Sequence, residues 1–280
     1  MRNQNQKNLQ KSNNHKHHNQ KPTKLGGESN SDSSLWICGK HPSFTTILNK
    51  KRKIFEILAT RNSVEELVAF LQKNSLQHLR NILKIVEKDY LEKILRDQIH
   101  QGIAVRCSRL PLKNQHDLLE ELYEIPEGEK LPTLLLLDQV LDPHNVGAII
   151  RSAAAFGVKH IIFCEHNSAK ESATIVKSSA GTIEFAELFS VTNFNNLIEK
   201  LKKIGYWCVG LAGEGNVKLS KVAEYKNIAL IIGSEGNGLR DLVKKNCDLL
   251  VKIEMDKKVE SLNASVAASI ALYEITKDQI

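Results

Sequence analysis

The chain has 280 residues, of which 41% are hydrophobic and 25% charged, and its formal net charge is +7. This length allows a sizeable core and two domains, and without a run of about 18 apolar residues no membrane span is expected. The five cysteines are scattered, with no C-x-x-C spacing, which disfavours a disulfide framework and a zinc site and favours a reducing, cytoplasmic setting.

The positive charge is concentrated toward the N-terminal side. Residues 1–34 contain six basic and two acidic residues, residues 35–125 contain fifteen and eleven, and residues 126–280 contain eighteen and nineteen. This asymmetry indicates an anionic partner that contacts mainly the front half of the chain.

Residues 1–34 consist largely of Asn, Gln, Lys, His and Ser. Such a segment buries too little apolar surface to offset the entropy of ordering, so we predict a disordered basic tail. It lacks the apolar stretch of a signal peptide. The sequence His15-Lys16-His17-His18 can be a metal tract or a solvated basic patch, and the second is favoured because nothing nearby completes a coordination shell.

Residues 35–110 are predicted to form a small α/β domain. The sequence Ser63-Val64-Glu65-Glu66 is interpreted as a capping box at the start of its second helix. The predicted strands are 35–38, 53–59, 82–86 and 102–110, and the predicted helices are 40–48, 63–71 and 88–95.

Residues 111–131 are predicted to be an interdomain linker. Pro111, Pro126 and Gly128 lie among charged residues there, a composition typical of connections between domains. A short helix is predicted at 117–123 within it.

Strands and helices alternate through residues 132–280. This alternation favours the α/β class, with a parallel sheet covered on both faces. The predicted strands are 133–137, 160–164, 185–188, 207–211, 228–232 and 249–253, and the predicted helices are 145–156, 172–178, 193–204, 239–246 and 262–276.

Three polar motifs follow these strands. Backbone turns just past the strands of an open α/β sheet are where ligands bind. A dinucleotide-binding fingerprint is disfavoured, because it needs G-x-G-x-x-G after the first strand and an acid about twenty residues later, whereas the spacing here is G-x-x-G-x-G after a late strand. The motifs are Asp142-Pro143-His144-Asn145-Val146-Gly147 with Arg151-Ser152-Ala153, then Gly233-Ser234-Glu235-Gly236-Asn237-Gly238, then Ser261-Leu262-Asn263-Ala264-Ser265-Val266-Ala267.

Four polar residues in these motifs have both a structural and a functional interpretation. Asn145 and Asn263 each precede or open a helix, so either can be an N-cap, a site residue or both. Arg151 lies in an otherwise apolar helical stretch, where a guanidinium must reach solvent or an anion, and we favour a functional role. Glu235 is either solvated or holds Arg151 in place as an ion-pair partner.

The three motifs resemble, in type and order, those of the SpoU class of RNA ribose 2′-O-methyltransferases. The resemblance covers residues 132–280 most strongly. It implies a knotted parallel-sheet catalytic domain (the SPOUT-type α/β knot), a small α/β ribosomal-protein-like N-terminal domain that binds RNA, and a homodimer. The phrase His100-Gln101-Gly102-Ile103 is similar to a signature of the ribosomal-RNA members, and it equally suits a simple turn before a strand.

The same resemblance implies the cofactor S-adenosyl-L-methionine (SAM) and a set of site residues. The catalytic positions of the family match Asn145, Arg151, Glu235 and Asn263. The family's cofactor contacts match Gly233, Ile253 and Leu262, with Leu211, Ala212 and Gly213 on the opposite wall. No metal is implied.

The implied reaction is methyl transfer to a ribose 2′-oxygen of ribosomal RNA, with a guanosine of 23S rRNA as the family analogy. A tRNA ribose methyltransferase is the alternative, and a non-catalytic RNA-binding assembly factor is disfavoured because all four catalytic positions are present. The family assigns deprotonation of the 2′-hydroxyl to the position of Arg151. Because a guanidinium resists deprotonation, stabilisation of the developing alkoxide is the other reading, and both stay open.

Overall fold

The computed structural model describes residues 34–96, 98–166 and 168–279. The predicted tail lies outside these residues, apart from Ser34, with which the first strand begins. Within the described ranges no helix combines the length and apolar character needed to cross a membrane.

The front of the chain forms a four-stranded sheet. Its elements are β1 (Ser34–Cys38), α1 (Lys40–Leu48), β2 (Ile54–Ala59), α2 (Arg61–Lys73), a 3-10 helix (Gln77–Ile82), β3 (Leu83–Ile85), α3 (Lys88–Leu95) and β4 (Ile103–Ser108). The strand order is β1-β4-β2-β3. Strand β4 is antiparallel to β1 and β2, whereas β3 is parallel to β2. The predicted α/β character of this region is confirmed.

The rest of the chain forms an eight-stranded sheet. Its elements are β5 (Leu112–Asn114), α4 (Gln115–Tyr123), β6 (Leu134–Asp138), α5 (Pro143–Ala155), β7 (His160–Cys164), α6 (Ala173–Ser178), β8 (Glu187–Val191), α7 (Phe194–Ile204), β9 (Trp207–Leu211), β10 (Val217–Lys218), β11 (Ile228–Gly233), α8 (Asp241–Asn246), β12 (Leu249–Lys252) and α9 (Ala264–Thr276). The order is β10-β12-β9-β11-β6-β7-β8-β5, and every neighbouring pair is parallel. The predicted parallel sheet is confirmed, and the knot stays a prediction of the resemblance.

The middle of this sheet is buried on both faces. All residues of β6 and β11 are buried. Within β6, Leu135 and Leu137 belong to a cluster shared with α5 and α9, and Leu134 and Leu136 to one shared with α7 and α8. Burial on both faces explains why these strands are continuous apolar runs rather than alternating ones.

Two sequence predictions about local structure are wrong. Helix α2 begins at Arg61, and its capping box joins Thr60 and Ser63 instead of starting at Ser63. The Ser63 hydroxyl is used elsewhere as well, because it donates to the carbonyl of Gly102 at 2.7 Å. The strand predicted at 185–188 is displaced, since Thr182–Phe185 is a 3-10 helix and the strand starts at Glu187.

The segment predicted as a linker contributes to the larger sheet. Leu112–Asn114 pairs in parallel with β8 and forms the edge strand. The predicted short helix is present as Gln115–Tyr123, and Asn114 caps it by accepting hydrogen bonds from two backbone amides. The linker interpretation did not anticipate that this segment adds a strand to the larger sheet. The domain boundaries themselves stay predictions.

The phrase His100-Gln101-Gly102 forms a turn before β4. His100 Nδ1 accepts a hydrogen bond from the amide of Gly102 at 3.0 Å, and Gln101 Oε1 accepts from the amide of Lys40 at 3.0 Å. Gly102 has φ 79°, the left-handed region that glycine adopts without steric cost. These contacts explain the sequence His100-Gln101-Gly102 by its role in forming the turn.

A buried ion-pair cluster connects the two sheets. Arg52, in the turn between α1 and β2, donates from Nε to both carboxylate oxygens of Glu184 at 2.9 Å. Its Nη2 contacts Glu171 at 2.6 Å, and its Nη1 donates to the carbonyl of Ser108 at 2.7 Å. The Arg52 side chain is 0% exposed and that of Glu184 is 1% exposed. Burial lowers the pKa of Arg52, but the hydrogen bond and charge of Glu184 outweigh it and raise the pKa, so the guanidinium stays charged.

Replacing Arg52 with alanine is expected to lower the free energy of unfolding by about 3–5 kcal/mol, because it leaves buried carboxylates without their cation. Urea unfolding measures the change. Lys50→Ala is the matched control, since Lys50 is a neighbouring exposed cation whose loss is expected to change stability by less than about 0.5 kcal/mol. A loss below about 1 kcal/mol for Arg52→Ala, as for an exposed pair, would contradict the role of this cluster.

Candidate active site

The three motifs meet at the carboxyl ends of the central strands. Strands β6 and β11 are in register, so that Gly233 lies opposite Asp138. The loop that follows β6 and the glycine turn that follows β11 therefore start at the same level of the sheet. Helix α9, which the third motif opens, packs against α5 and β11.

Three of the four predicted catalytic residues contact one another. Asn145 Nδ2 donates to Glu235 Oε2 at 2.8 Å. Asn263 Nδ2 donates to Asn145 Oδ1 at 3.0 Å and to Glu235 Oε1 at 3.2 Å. Both oxygens of Glu235 are thus held by amides, and one residue from each motif contributes to the cluster, which we call the Asn–Glu–Asn cluster.

The two asparagines differ in their second role. Asn145 does not cap α5; Asp142 does, by accepting a hydrogen bond from the amide of His144 at 3.0 Å. The Asn145 side chain is consequently available for Glu235. Asn263 does cap α9, because its Oδ1 accepts from the amides of Ser265 and Val266, while its Nδ2 serves the Asn–Glu–Asn cluster.

Arg151 reaches solvent, which is one of the two outcomes predicted for its guanidinium. Its side chain is exposed, and among the described residues it has no hydrogen-bond or ion-pair partner. Of the two readings of Glu235, the ion pair with Arg151 is not found among the described residues, and the carboxylate instead accepts one asparagine amide on each oxygen. The next residue, Ser152, shares a hydrogen bond of 2.6 Å with Ser269 of α9, so Arg151 lies beside the junction of α5 and α9 and is open to an anion from outside the chain.

A cavity of about 290 Å³ lies on one side of the glycine turn. Apolar side chains and main-chain groups line it together, which suits the adenosine and the methionine portions of SAM. It brings together all six residues that the resemblance assigns to the cofactor, Leu211, Ala212, Gly213, Gly233, Ile253 and Leu262.

Gly233 is required by the shape of the turn itself. A Cβ atom at this position would collide with the backbone of Gly238 and Leu239. The turn closes on itself, because the amide of Ser234 donates to the carbonyl of Gly238 at 3.1 Å and the amide of Gly238 returns a bond of 2.9 Å. The need for glycine at this position therefore arises within the loop itself.

A second cavity, of about 370 Å³, lies on the other side of the turn. It is lined by the loop after β6, including Gln139 and Asp142, and by Asn145. Ser234, Glu235 and Asn237 line both cavities. The Asn–Glu–Asn cluster therefore stands at the boundary between two adjoining spaces, as a group transfer between two bound molecules requires.

Sequence reasoning missed a pair that anchors the end of the glycine turn. Asp138, fully buried at the end of β6, accepts from Arg240 Nε at 2.7 Å and from the Arg240 amide at 3.0 Å. Burial acts to lower the pKa of Arg240, but the hydrogen bond and charge of Asp138 raise it above the ordinary value. The available signal was an aspartate that ends a run of leucines, since a carboxylate there needs a cation.

Comparison with known proteins identifies the class. The model of the SpoU rRNA Methylase family matches residues 132–273, the part of the chain that carries both cavities. The protein is thus a methyltransferase that uses SAM. The chain belongs to the SpoU rRNA methylase family.

Individual relatives agree with this assignment. The 23S rRNA (guanosine-2′-O-)-methyltransferase RlmB of Xanthomonas campestris is 34% identical over 89% of this chain and 99% of its own length. The protein of that name from Pseudomonas aeruginosa is 40% identical over 65% of this chain and 72% of its own length. The solved structure of the SpoU methyltransferase AviRb from Streptomyces viridochromogenes, in complex with AdoMet, has a TM-score of 0.70 at 22% identity, covering 88% of this chain and 91% of its own, and shows the shared fold.

Proposed function

We propose that this chain transfers a methyl group from SAM to the ribose 2′-oxygen of a guanosine in 23S rRNA. The observation that carries the proposal is the Asn–Glu–Asn cluster between the two cavities. One cavity collects the residues assigned to the cofactor, and the other leaves room for a nucleoside. The two relatives named 23S rRNA (guanosine-2′-O-)-methyltransferase, at 34% and 40% identity, support the choice of substrate.

Each polar residue has a distinct role in this proposal. SAM supplies an electrophilic methyl group on a sulfonium. Glu235, held by Asn145 and Asn263, gives the boundary between the cavities a fixed acceptor that orients the 2′-hydroxyl. Arg151 stabilises the negative charge that develops on the 2′-oxygen, directly or through a neighbouring phosphate. Its exposure and its lack of a partner among the described residues leave it free for RNA.

The proposal is tested with purified protein, SAM carrying a labelled methyl group, and either 23S rRNA or tRNA. After digestion to nucleosides, label is expected in 2′-O-methylguanosine from 23S rRNA. Label in a methylated base would contradict ribose transfer, and label in tRNA alone would favour the tRNA alternative.

We also propose that the protein acts as a homodimer in the cytoplasm. Val266, Ile270 and Tyr273 are exposed at 46%, 39% and 53% on one face of α9, at helical spacing that forms a continuous apolar stripe. Arg151 lies beside α9, so a second copy seated on this face would border the candidate site. An rRNA substrate and five free thiols support the cytoplasmic location.

Replacing Ile270 with aspartate is expected to yield a monomer, because a carboxylate in an apolar contact loses its hydration. Light scattering measures the molecular mass. Leu242→Asp is the matched control, since Leu242 is 58% exposed on α8, which packs with α7 on the other face of the sheet. A dimer that survives Ile270→Asp, or a wild-type monomer, would contradict the assignment of this face.

A further inference from the structure

Part of one face of the small sheet is aromatic and basic. The inner face, which includes Ile103 and Val105, is buried against the main core. On the outer face, α3 covers Leu58 and Ala104. Farther along the same strands the outer face carries Trp36, Phe55 and Arg106, which are only partly buried, and the exposed Lys53 and Lys84. We call these five residues the aromatic–basic face.

The aromatic–basic face is arranged by strand register. Trp36 of β1 lies opposite Arg106 of β4, and a β-bulge between Ile54 and Glu56 places Phe55 as an extra residue on β2. The Arg106 guanidinium lies 6.0 Å from the ring centroid of Trp36 and 5.6 Å from that of Phe55. Bulges re-aim side chains, and here the bulge brings both rings to the same cation.

The charge of this face is positive. Lys53 Nζ lies 5.6 Å from the Phe55 centroid. The carboxylate of Glu56 lies beside this face and contacts Lys84 at 2.7 Å and Arg106 at 3.4 Å. The three cations of the face thus outnumber this one carboxylate. Arg106 and Lys84 keep 40% and 66% of their side chains exposed. A cation next to a solvent-accessible ring adds only about 0.5–1 kcal/mol to stability. Stability alone therefore does not explain why two aromatic rings stay in contact with water here.

We propose that the aromatic–basic face binds unpaired nucleotides of the RNA substrate. Bases would stack on Trp36 and Phe55, and the cations, with Arg106 close to both rings, would contact the flanking phosphates. Sheets that present aromatic and basic side chains recognise single-stranded RNA in this way, because every base has a face that can stack. An RNA duplex cannot bind in this way, because its bases are stacked on one another inside the helix and their faces are not accessible to the rings. The inference rests on the proposed function for the source of the RNA.

Fluorescence tests the stacking directly, because the chain has two tryptophans. In a Trp207→Phe protein, Trp36 is the remaining reporter. An unstructured RNA oligonucleotide is expected to quench its emission at low salt, whereas an RNA duplex of the same length is not. The converse protein, Trp36→Phe, reports from Trp207, which packs on Tyr225 with centroids 4.5 Å apart, and its emission is expected to stay unchanged. Equal quenching in the two proteins would overturn the proposal.

Affinity measurements supply a second readout. Phe55→Ala is expected to weaken oligonucleotide binding about 10-fold, the order found for removing one stacking ring. Arg106→Gln is expected to weaken it and to reduce the slope of log affinity against log salt by about one. Tyr123→Ala, which removes a ring that is 68% exposed on α4, is the matched control and is expected to bind normally. Thermal melting confirms that each variant is folded.

The outcome separates this proposal from the proposed function. If Phe55→Ala and Arg106→Gln bind the oligonucleotide as the wild type does while 23S rRNA is still methylated, RNA binding by the aromatic–basic face is refuted and the proposed activity stands. If the face binds as expected but the wild type methylates no guanosine of 23S rRNA, the proposed substrate fails and the face stands.

Discussion

Replacing Gly233 with valine is expected to abolish SAM binding, measured by calorimetry. The new side chain would occupy the space of the Gly238 and Leu239 backbone, so the glycine turn must open. That turn lines the cofactor cavity, and its displacement removes the wall against which the cofactor would lie. Alanine at this position is expected to act almost as strongly, because the collision already occurs at Cβ.

Gly157→Ala is the control for glycine replacement as such. Gly157 has a positive φ, of 73°, and a Cβ atom there meets nothing within 4 Å. This variant is expected to be slightly less stable and to bind SAM normally. A folded Gly233→Val protein with unchanged SAM affinity would refute the assignment of the cavity.

Arg151→Ala is expected to bind SAM normally and to transfer methyl groups about 10²- to 10³-fold more slowly, the loss typical of removing one group that stabilises transition-state charge. Normal cofactor binding is expected because Arg151 does not line the cofactor cavity. Arg151→Lys is expected to recover little activity, since lysine lacks the planar fork of donors. Single-turnover kinetics with RNA measure the transfer step.

The control for loss of a surface cation is Lys203→Ala, because Lys203 is exposed near the end of α7, on the face of the sheet opposite α5 and α9. Its single-turnover rate is expected to match the wild type. Near-normal transfer by Arg151→Ala would exclude both the base and the alkoxide-stabilising role of this residue.

The elements that the sequence predicts well are those specified by short-range pattern. The apolar run of β11 and the glycines that follow it predict both the strand and the turn. A strand buried on two faces has a continuous apolar sequence, and positions of positive φ favour glycine. Gly236 and Gly238 have φ values of 87° and 65°. The clustering of Asn145, Glu235 and Asn263 could be anticipated from the resemblance, and the structure supplies its hydrogen bonds.

The features that escaped prediction depend on partners far apart in sequence. Arg52 and Glu184 are separated by 132 positions, and no local pattern indicates which buried acid an arginine will meet. Asp138 and Arg240 are separated by 102 positions. The apolar helical context of Arg151 predicts a guanidinium that reaches solvent or an anion, but it does not predict that two asparagine amides hold Glu235.

The central claim is methylation of a guanosine ribose in 23S rRNA. Mapping of 2′-O-methyl groups across cellular RNA, with and without this gene, tests it most directly. A 2′-O-methylguanosine of 23S rRNA is predicted to disappear without the gene and to return with the wild-type chain, but not with Glu235→Gln, which alters the hydrogen bonds of the Asn–Glu–Asn cluster. An unchanged map of 23S rRNA, or a loss confined to tRNA, would contradict the claim.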